Sequence, residues 1–201
     1  MKITSLDRIL LLLTGLLAAY QIAVGIDDLS TLPIVAYTIG FGVILVAGLL
    51  LFILGFDALD SPLVVIASTV IPLSLSLGLV WEQLVPWRTP YLVFTILGFL
   101  SIVVTRLIPL KKLLPVIVLA VVHGIAGMTI FLLPILSALS GRSAPGFALV
   151  GVGGALIGLG GLLLALLKAG KPLLSRLSIL KLLPGLLLLM TFAFVFGFSA
   201  T

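Results

Sequence analysis

Long apolar runs alternate with short polar turns along the whole sequence. Seven of these runs reach the length of roughly 17–25 residues that a helix needs to cross a bilayer. They cover residues 9–26, 32–56, 62–85, 89–105, 113–139, 146–167 and 182–199. Because a backbone in lipid must satisfy its own hydrogen bonds, each run predicts a helix. We therefore predict an all-α, polytopic transmembrane helical bundle of seven spans, forming a single integral membrane domain over residues 1–201.

The basic residues in the turns predict the orientation, since positively charged loops stay in the cytoplasm. With a cytoplasmic N-terminus and seven spans, the C-terminus lies outside and the outer turns hold only Arg88 and Arg142. The inner turns hold the nine other basic residues, which are Lys2, Arg8, Arg106, Lys111, Lys112, Lys168, Lys171, Arg176 and Lys181. The run at 89–105 is the shortest, and a chain of six spans without it is the alternative. That chain would have an external N-terminus and a weaker bias, with eight basic residues inside and three outside.

Large aromatic side chains agree with the seven-span topology. Tryptophan and tyrosine favour the interface between lipid and water. Both tryptophans and all three tyrosines fall in the outer half of this topology, at Tyr20, Tyr37, Trp81, Trp87 and Tyr91. We therefore expect an aromatic belt on one side of the membrane.

The run at 146–167 carries a regular row of small residues, spaced alternately by three and four positions. These residues are Gly151, Gly154, Gly158, Gly161 and Ala165. That spacing places all of them on one face of a helix. In lipid, helices associate by close packing, and a face without bulky side chains lets another backbone approach. We predict that this helix stands at the centre of the bundle and packs through the small-residue row.

His123 is the only histidine and lies at mid-membrane depth in the run at 113–139. It is part of a second patch of small residues that includes Gly124 and Gly127. An imidazole in lipid needs a partner, so we expect it to face the interior of the bundle. A hydrogen bond to a neighbouring helix is the simpler interpretation. The functional interpretation is a binding site for a haem, a chlorophyll-type pigment or a quinone, or else a proton relay.

The run at 62–85 contains a proline, Pro72, near its middle. Hydroxyl side chains flank it at Ser68, Thr69, Ser74 and Ser76. A proline in a helix frees a backbone carbonyl, which hydroxyl groups or water can satisfy. A kink that improves packing is the simpler interpretation, and a kinked or broken helix lining a polar path is the functional one.

Glu82 lies near the outer end of the same run and could extend such a path. A carboxylate in the headgroup zone more often pairs with a local base, and Arg88 and Arg142 are the candidates. We therefore expect an ion pair or simple solvation at Glu82, with cation binding as the functional alternative.

The composition supports the membrane assignment and removes several classes of function. Of 201 residues, 62% are hydrophobic and 8% charged, with a mean hydropathy of +1.49. The net charge of +5 does not indicate nucleic-acid binding, because the basic residues flank apolar runs and meet lipid headgroups. The absence of cysteine removes thiolate metal ligands and nucleophiles. No acidic residue lies at the centre of a run and no catalytic motif is present, so we expect no enzyme activity, no catalytic residues and no metal site.

These features favour a non-catalytic subunit or scaffold of a complex in a prokaryotic plasma membrane. Helix-packing surface is abundant, whereas buried polar chemistry is scarce. The expected partners are the lipid bilayer and other membrane protein subunits. Two alternatives remain open, a transporter or channel for a neutral or lipid-like solute along the Pro72 path, and a pigment, haem or quinone site at His123. The sequence identifies neither a cofactor nor a substrate.

Overall fold

The computed structural model describes residues 3–27, 29–108, 113–168 and 170–200, and all regular structure in these ranges is helical. The α-helices are α1 (Ser5–Val24), α2 (Thr31–Leu54), α3 (Pro62–Gln83), α4 (Arg88–Leu107), α5 (Leu113–Leu139), α6 (Ala148–Lys168) and α7 (Arg176–Phe198). Short 3-10 turns at Gly55–Asp60, Val85–Trp87 and Pro145–Phe147 precede α3, α4 and α6. Each of the seven α-helices, with adjoining 3-10 turns in three cases, is long and apolar enough to cross a membrane. The prediction of an all-α multi-pass bundle with seven spans is confirmed at this level.

Polar caps and arginine side chains extend three helices beyond the apolar runs. α1 begins at Ser5 because the Thr4 hydroxyl accepts a hydrogen bond from the Asp7 backbone N–H at 3.2 Å, which satisfies an otherwise free donor. α7 begins at Arg176, after a similar cap from Ser175. α4 has 20 residues because it includes basic residues at both ends, whose long side chains can reach the polar zone. The shortest predicted run is therefore a full-length helix.

Six helices form a closed ring in which each packs against the next. The order is α1, α2, α3, α5, α6 and α7, and α7 packs back against α1. α4 lies outside this ring, where it contacts α3 and α5. We call the end of the bundle where α3 finishes and α4 begins the Trp end, after Trp81 and Trp87.

Aromatic side chains from α2 and α7 fill the middle of the ring. Tyr37 and Phe198 pack with their ring centroids 4.6 Å apart, and Phe41 meets Phe194 edge to face. Leu75 of α3 belongs to the same cluster and is fully buried. A smaller cluster joins α3, α4 and α5. The core thus holds the six ring helices together, and α4 is attached from one side.

The most buried helix is α3, and the prediction that the glycine helix occupies the centre is wrong. In the most apolar window of each helix, 56% of the residues of α3 are buried, against 33% for α6. α6 packs chiefly against its two neighbours in the ring, α5 and α7. Glycine lets one backbone come close, but it offers no side chain to reach several helices at once. In α3, every residue from Ile71 to Val80 is buried, so its side chains do reach several neighbouring helices.

Candidate functional site

The glycine row of α6 divides into two halves that have different surroundings. At the half nearer the Trp end, a methyl group on Gly151 would lie 2.6 Å from the backbone oxygen of Phe131 on α5. A methyl group on Gly154 would lie 2.9 Å from the backbone nitrogen of the same residue. Real side-chain carbons do not approach that closely, so these two positions require glycine. In this half of the row, the backbones of α5 and α6 pack in close contact.

The other half of the row has no such neighbour. A methyl group on Gly158 or Gly161 would find no atom within 4 Å among the described residues. Both glycines are exposed, as is Ala165 one turn further along α6. The structure therefore brings Gly151 and Gly154 into contact with α5 and leaves the remaining three small residues uncovered. We call Gly158, Gly161 and Ala165 the open face of α6.

Two glycines of α5 have no close neighbours either. Methyl groups on Gly124 and Gly127 would also meet nothing within 4 Å. α5 and α6 run antiparallel, and Gly154 contacts Ile130 and Phe131. Continuing the same register toward the far end brings Gly127 to the level of Gly158. α5 and α6 thus each carry glycines without close neighbours, which we call bare glycines, at the same depth in the bundle.

His123 is half-buried, at the level that this register assigns to Gly161. Its ring interacts with the backbone carbonyl of Leu119, one turn earlier in α5, but its buried Nδ1 atom makes no hydrogen bond of good geometry among the described residues. The hydrogen bond to a neighbouring helix that the simpler interpretation expects stays a prediction. An imidazole nitrogen held only by such a contact can accept a hydrogen bond or bind a metal centre instead.

A second face of α6 was missed by the sequence analysis. A methyl group on Gly153 would lie 2.5 Å from the ring of Phe194, so α7 packs on this glycine. Gly160 is buried seven residues later, on the same side of the helix. That seven-residue spacing is visible in the sequence, although the more regular row beside it dominates the pattern.

The hydroxyl groups around Pro72 are engaged within their own helix. α3 continues through Pro72, so the helix is not broken there, and a kink that lines a polar path stays a prediction. Ser76 donates to the carbonyl oxygen of Pro72 at 2.6 Å, and Ser74 donates to that of Val70 at 2.7 Å. Ser68 and Thr69 donate to the carbonyl of Val65 in the same way. These bonds satisfy the hydroxyl protons within α3, and transport along this segment remains a prediction.

Glu82 does not form the ion pair that the sequence suggests. Its Oε1 atom accepts a hydrogen bond from the Ser30 hydroxyl at 2.9 Å. Arg88 instead donates from Nε to the backbone oxygen of Trp81 at 2.5 Å, because carbonyls in the last turn of α3 have no partner within the helix. Arg142 donates to the hydroxyl of Ser140. Glu82 therefore links α3 to the turn before α2.

The fold and the arrangement of its small residues define a class, that of multi-pass membrane proteins built as a seven-helix bundle. The described residues contain no group of histidine and acidic side chains that could hold a metal ion. No protein-family model, curated protein or solved structure matches this chain.

Proposed function

We propose that the protein is a non-catalytic subunit or scaffold of a membrane complex, and that another membrane-spanning protein packs on the open face of α6. The supporting observation is the contrast within one row of small residues. Gly151 and Gly154 are closed by α5, whereas Gly158 and Gly161 meet nothing within 4 Å. In lipid, a bare small-residue face is the surface on which a second helix packs most closely.

The proposal also states which membrane the protein spans and how the protein is oriented in it. The bias of basic residues toward one side favours a cytoplasmic N-terminus and an external C-terminus. The membrane proposed is the plasma membrane of a prokaryote.

The open face is tested by the double variant Gly158→Leu/Gly161→Leu. We expect about tenfold or greater loss of the partner polypeptide from the complex extracted from native membranes, because leucines on this face separate the two helices. The measurement is native mass spectrometry after extraction in mild detergent, with thermal unfolding of the same samples. Unfolding should be unchanged, since both glycines are exposed and a first side-chain carbon at either one meets nothing within 4 Å.

The matched control is Gly42→Leu/Gly185→Leu, at two helical glycines that also meet nothing within 4 Å. This control should retain the partner at the wild-type level. A wild-type protein that carries no other polypeptide, or equal loss in both double variants, contradicts the proposal.

A second candidate function rests on the buried Nδ1 atom of His123. With bare glycines at the same depth on α5 and α6, this nitrogen could bind a haem, a chlorophyll-type pigment or a quinone. The macrocycle version predicts a Soret or chlorin absorption band in protein purified from native membranes, and loss of that band in His123→Ala. Wild-type protein without the band contradicts that version. Solvent extraction of the same two samples tests for a quinone.

A further inference from the structure

A groove of about 720 Å³ lies between α4 and α5 toward the Trp end. Trp87 and Tyr91 line one wall, and Gly124, Met128 and Leu136 line the other. Trp87 and Met128 are 60% and 52% exposed, so the groove opens at the surface of the bundle. Its volume falls within the roughly 300–1,000 Å³ typical of small-molecule sites.

The lining of this groove suits hydrocarbon better than a polar solute. Its tyrosine, Tyr91, donates a hydrogen bond to the Thr129 hydroxyl at 3.2 Å. Thr129 in turn donates to the backbone oxygen of Ile125 at 2.9 Å. Both hydroxyl protons are therefore used within the protein, and apart from the indole N–H of Trp87 the other lining side chains are apolar.

The length of the groove matches one leaflet of a bilayer. Gly124 and Leu136 are twelve residues apart on α5, which corresponds to about 18 Å along a helix. The hydrocarbon core of a whole bilayer is about 30 Å thick, so one leaflet supplies about half of that depth. A single lipid chain entering from the Trp end would reach the deep end of the groove at Gly124.

Two arginines stand where the headgroup of such a lipid would lie. Arg142 is exposed and comes three residues after the last residue of α5. Arg88 follows Trp87 directly; its Nε bonds the Trp81 carbonyl and its guanidinium lies 5.5 Å from the centre of the Trp81 ring, which leaves its two terminal nitrogens for a phosphate. Neither arginine forms an ion pair with a carboxylate of the described residues. The ion pair that these residues do form joins Arg176 to Asp60 at 3.3 Å. Guanidinium groups bind phosphate oxygens well, through charge-assisted hydrogen bonds.

From these observations we infer that the α4–α5 groove is a binding site for a phospholipid with a net negative headgroup. One acyl chain lies along the groove between Trp87 and Gly124, and the phosphate meets Arg88 and Arg142. The site is separate from the open face of α6, and its occupant is a lipid of the leaflet at the Trp end.

The test measures retention of phosphatidylglycerol and of phosphatidylcholine with identical chains by the purified full-length protein, using native mass spectrometry. We expect wild-type protein to retain phosphatidylglycerol about tenfold better. Gly124→Phe should abolish retention, because the ring occupies the deep end of the groove. This variant should fold normally, since a side chain at Gly124 meets nothing within 4 Å.

Two further variants separate the headgroup from the chain. Arg142→Gln removes an exposed guanidinium that bonds only Ser140 among the described residues, and it should remove the preference for phosphatidylglycerol. Gly42→Phe places the same ring at a bare glycine on α2, outside the groove, and should leave retention unchanged. Equal retention of the two lipids by the wild-type protein overturns the inference. The inference also fails if Gly124→Phe retains as much lipid as the wild type, or if the wild type carries a bound polypeptide and no lipid.

Discussion

Gly154→Leu is expected to lower the free energy of unfolding by about 3 kcal/mol, the upper end of the range for overpacking. At this position a methyl group already comes within 2.9 Å of the α5 backbone. Backbone atoms cannot rotate aside as a side chain can, so α5 and α6 must separate along their closed half. Unfolding in mixed micelles with increasing denaturing detergent measures the loss.

Gly158→Leu is the matched control on the same helix face, four residues further along. A methyl group there meets nothing within 4 Å, so we expect a change of less than about 0.5 kcal/mol. Leucine favours helix more than glycine by a similar amount at both positions, and this contribution cancels in the comparison. Equal destabilisation by the two variants would show that the row does not divide into a closed half and an open half.

Phe194→Ala is expected to lower the free energy of unfolding by about 3 kcal/mol. The Phe194 ring is fully buried, meets Phe41 edge to face at 6.5 Å and covers Gly153 of α6. Its removal leaves a cavity between α2, α6 and α7, and close packing is what holds helices together in lipid. The same detergent titration measures the effect.

Phe196→Ala removes an identical side chain from the exposed face of α7. Phe196 is 48% exposed and packs on Phe192, with ring centroids 4.2 Å apart. Lipid chains can replace most of its contacts, so we expect a loss of about 1 kcal/mol or less. A loss at Phe196 as large as at Phe194 would contradict the assignment of the aromatic cluster as the core.

The number and type of helices could be predicted because lipid leaves the backbone few choices. Apolar runs of the required length must form helices, and each run did so. The helix ends were less predictable, because the hydrophobic pattern shows only where the apolar residues end. Polar capping residues can extend a helix beyond that point. The Thr4 and Asp7 pair was readable in the sequence, yet it lies outside the first apolar run.

The order of helices around the ring could not be predicted, because it depends on contacts between residues far apart in the chain. A glycine row indicates that a backbone can approach but not how many helices do so. For this reason α3 rather than α6 became the most buried helix. The α4–α5 groove has no local signal either, since it forms only when α4 packs outside the ring.

A single cysteine introduced at position 158 and labelled with a photoreactive group gives the most direct test in native membranes, because the chain has no cysteine of its own. We predict a crosslink to one membrane protein of defined mass, which Gly161→Leu abolishes and which the same label at position 42 does not give. Lipid adducts alone at both positions would contradict the assignment of the open face of α6 as the surface that binds another membrane protein.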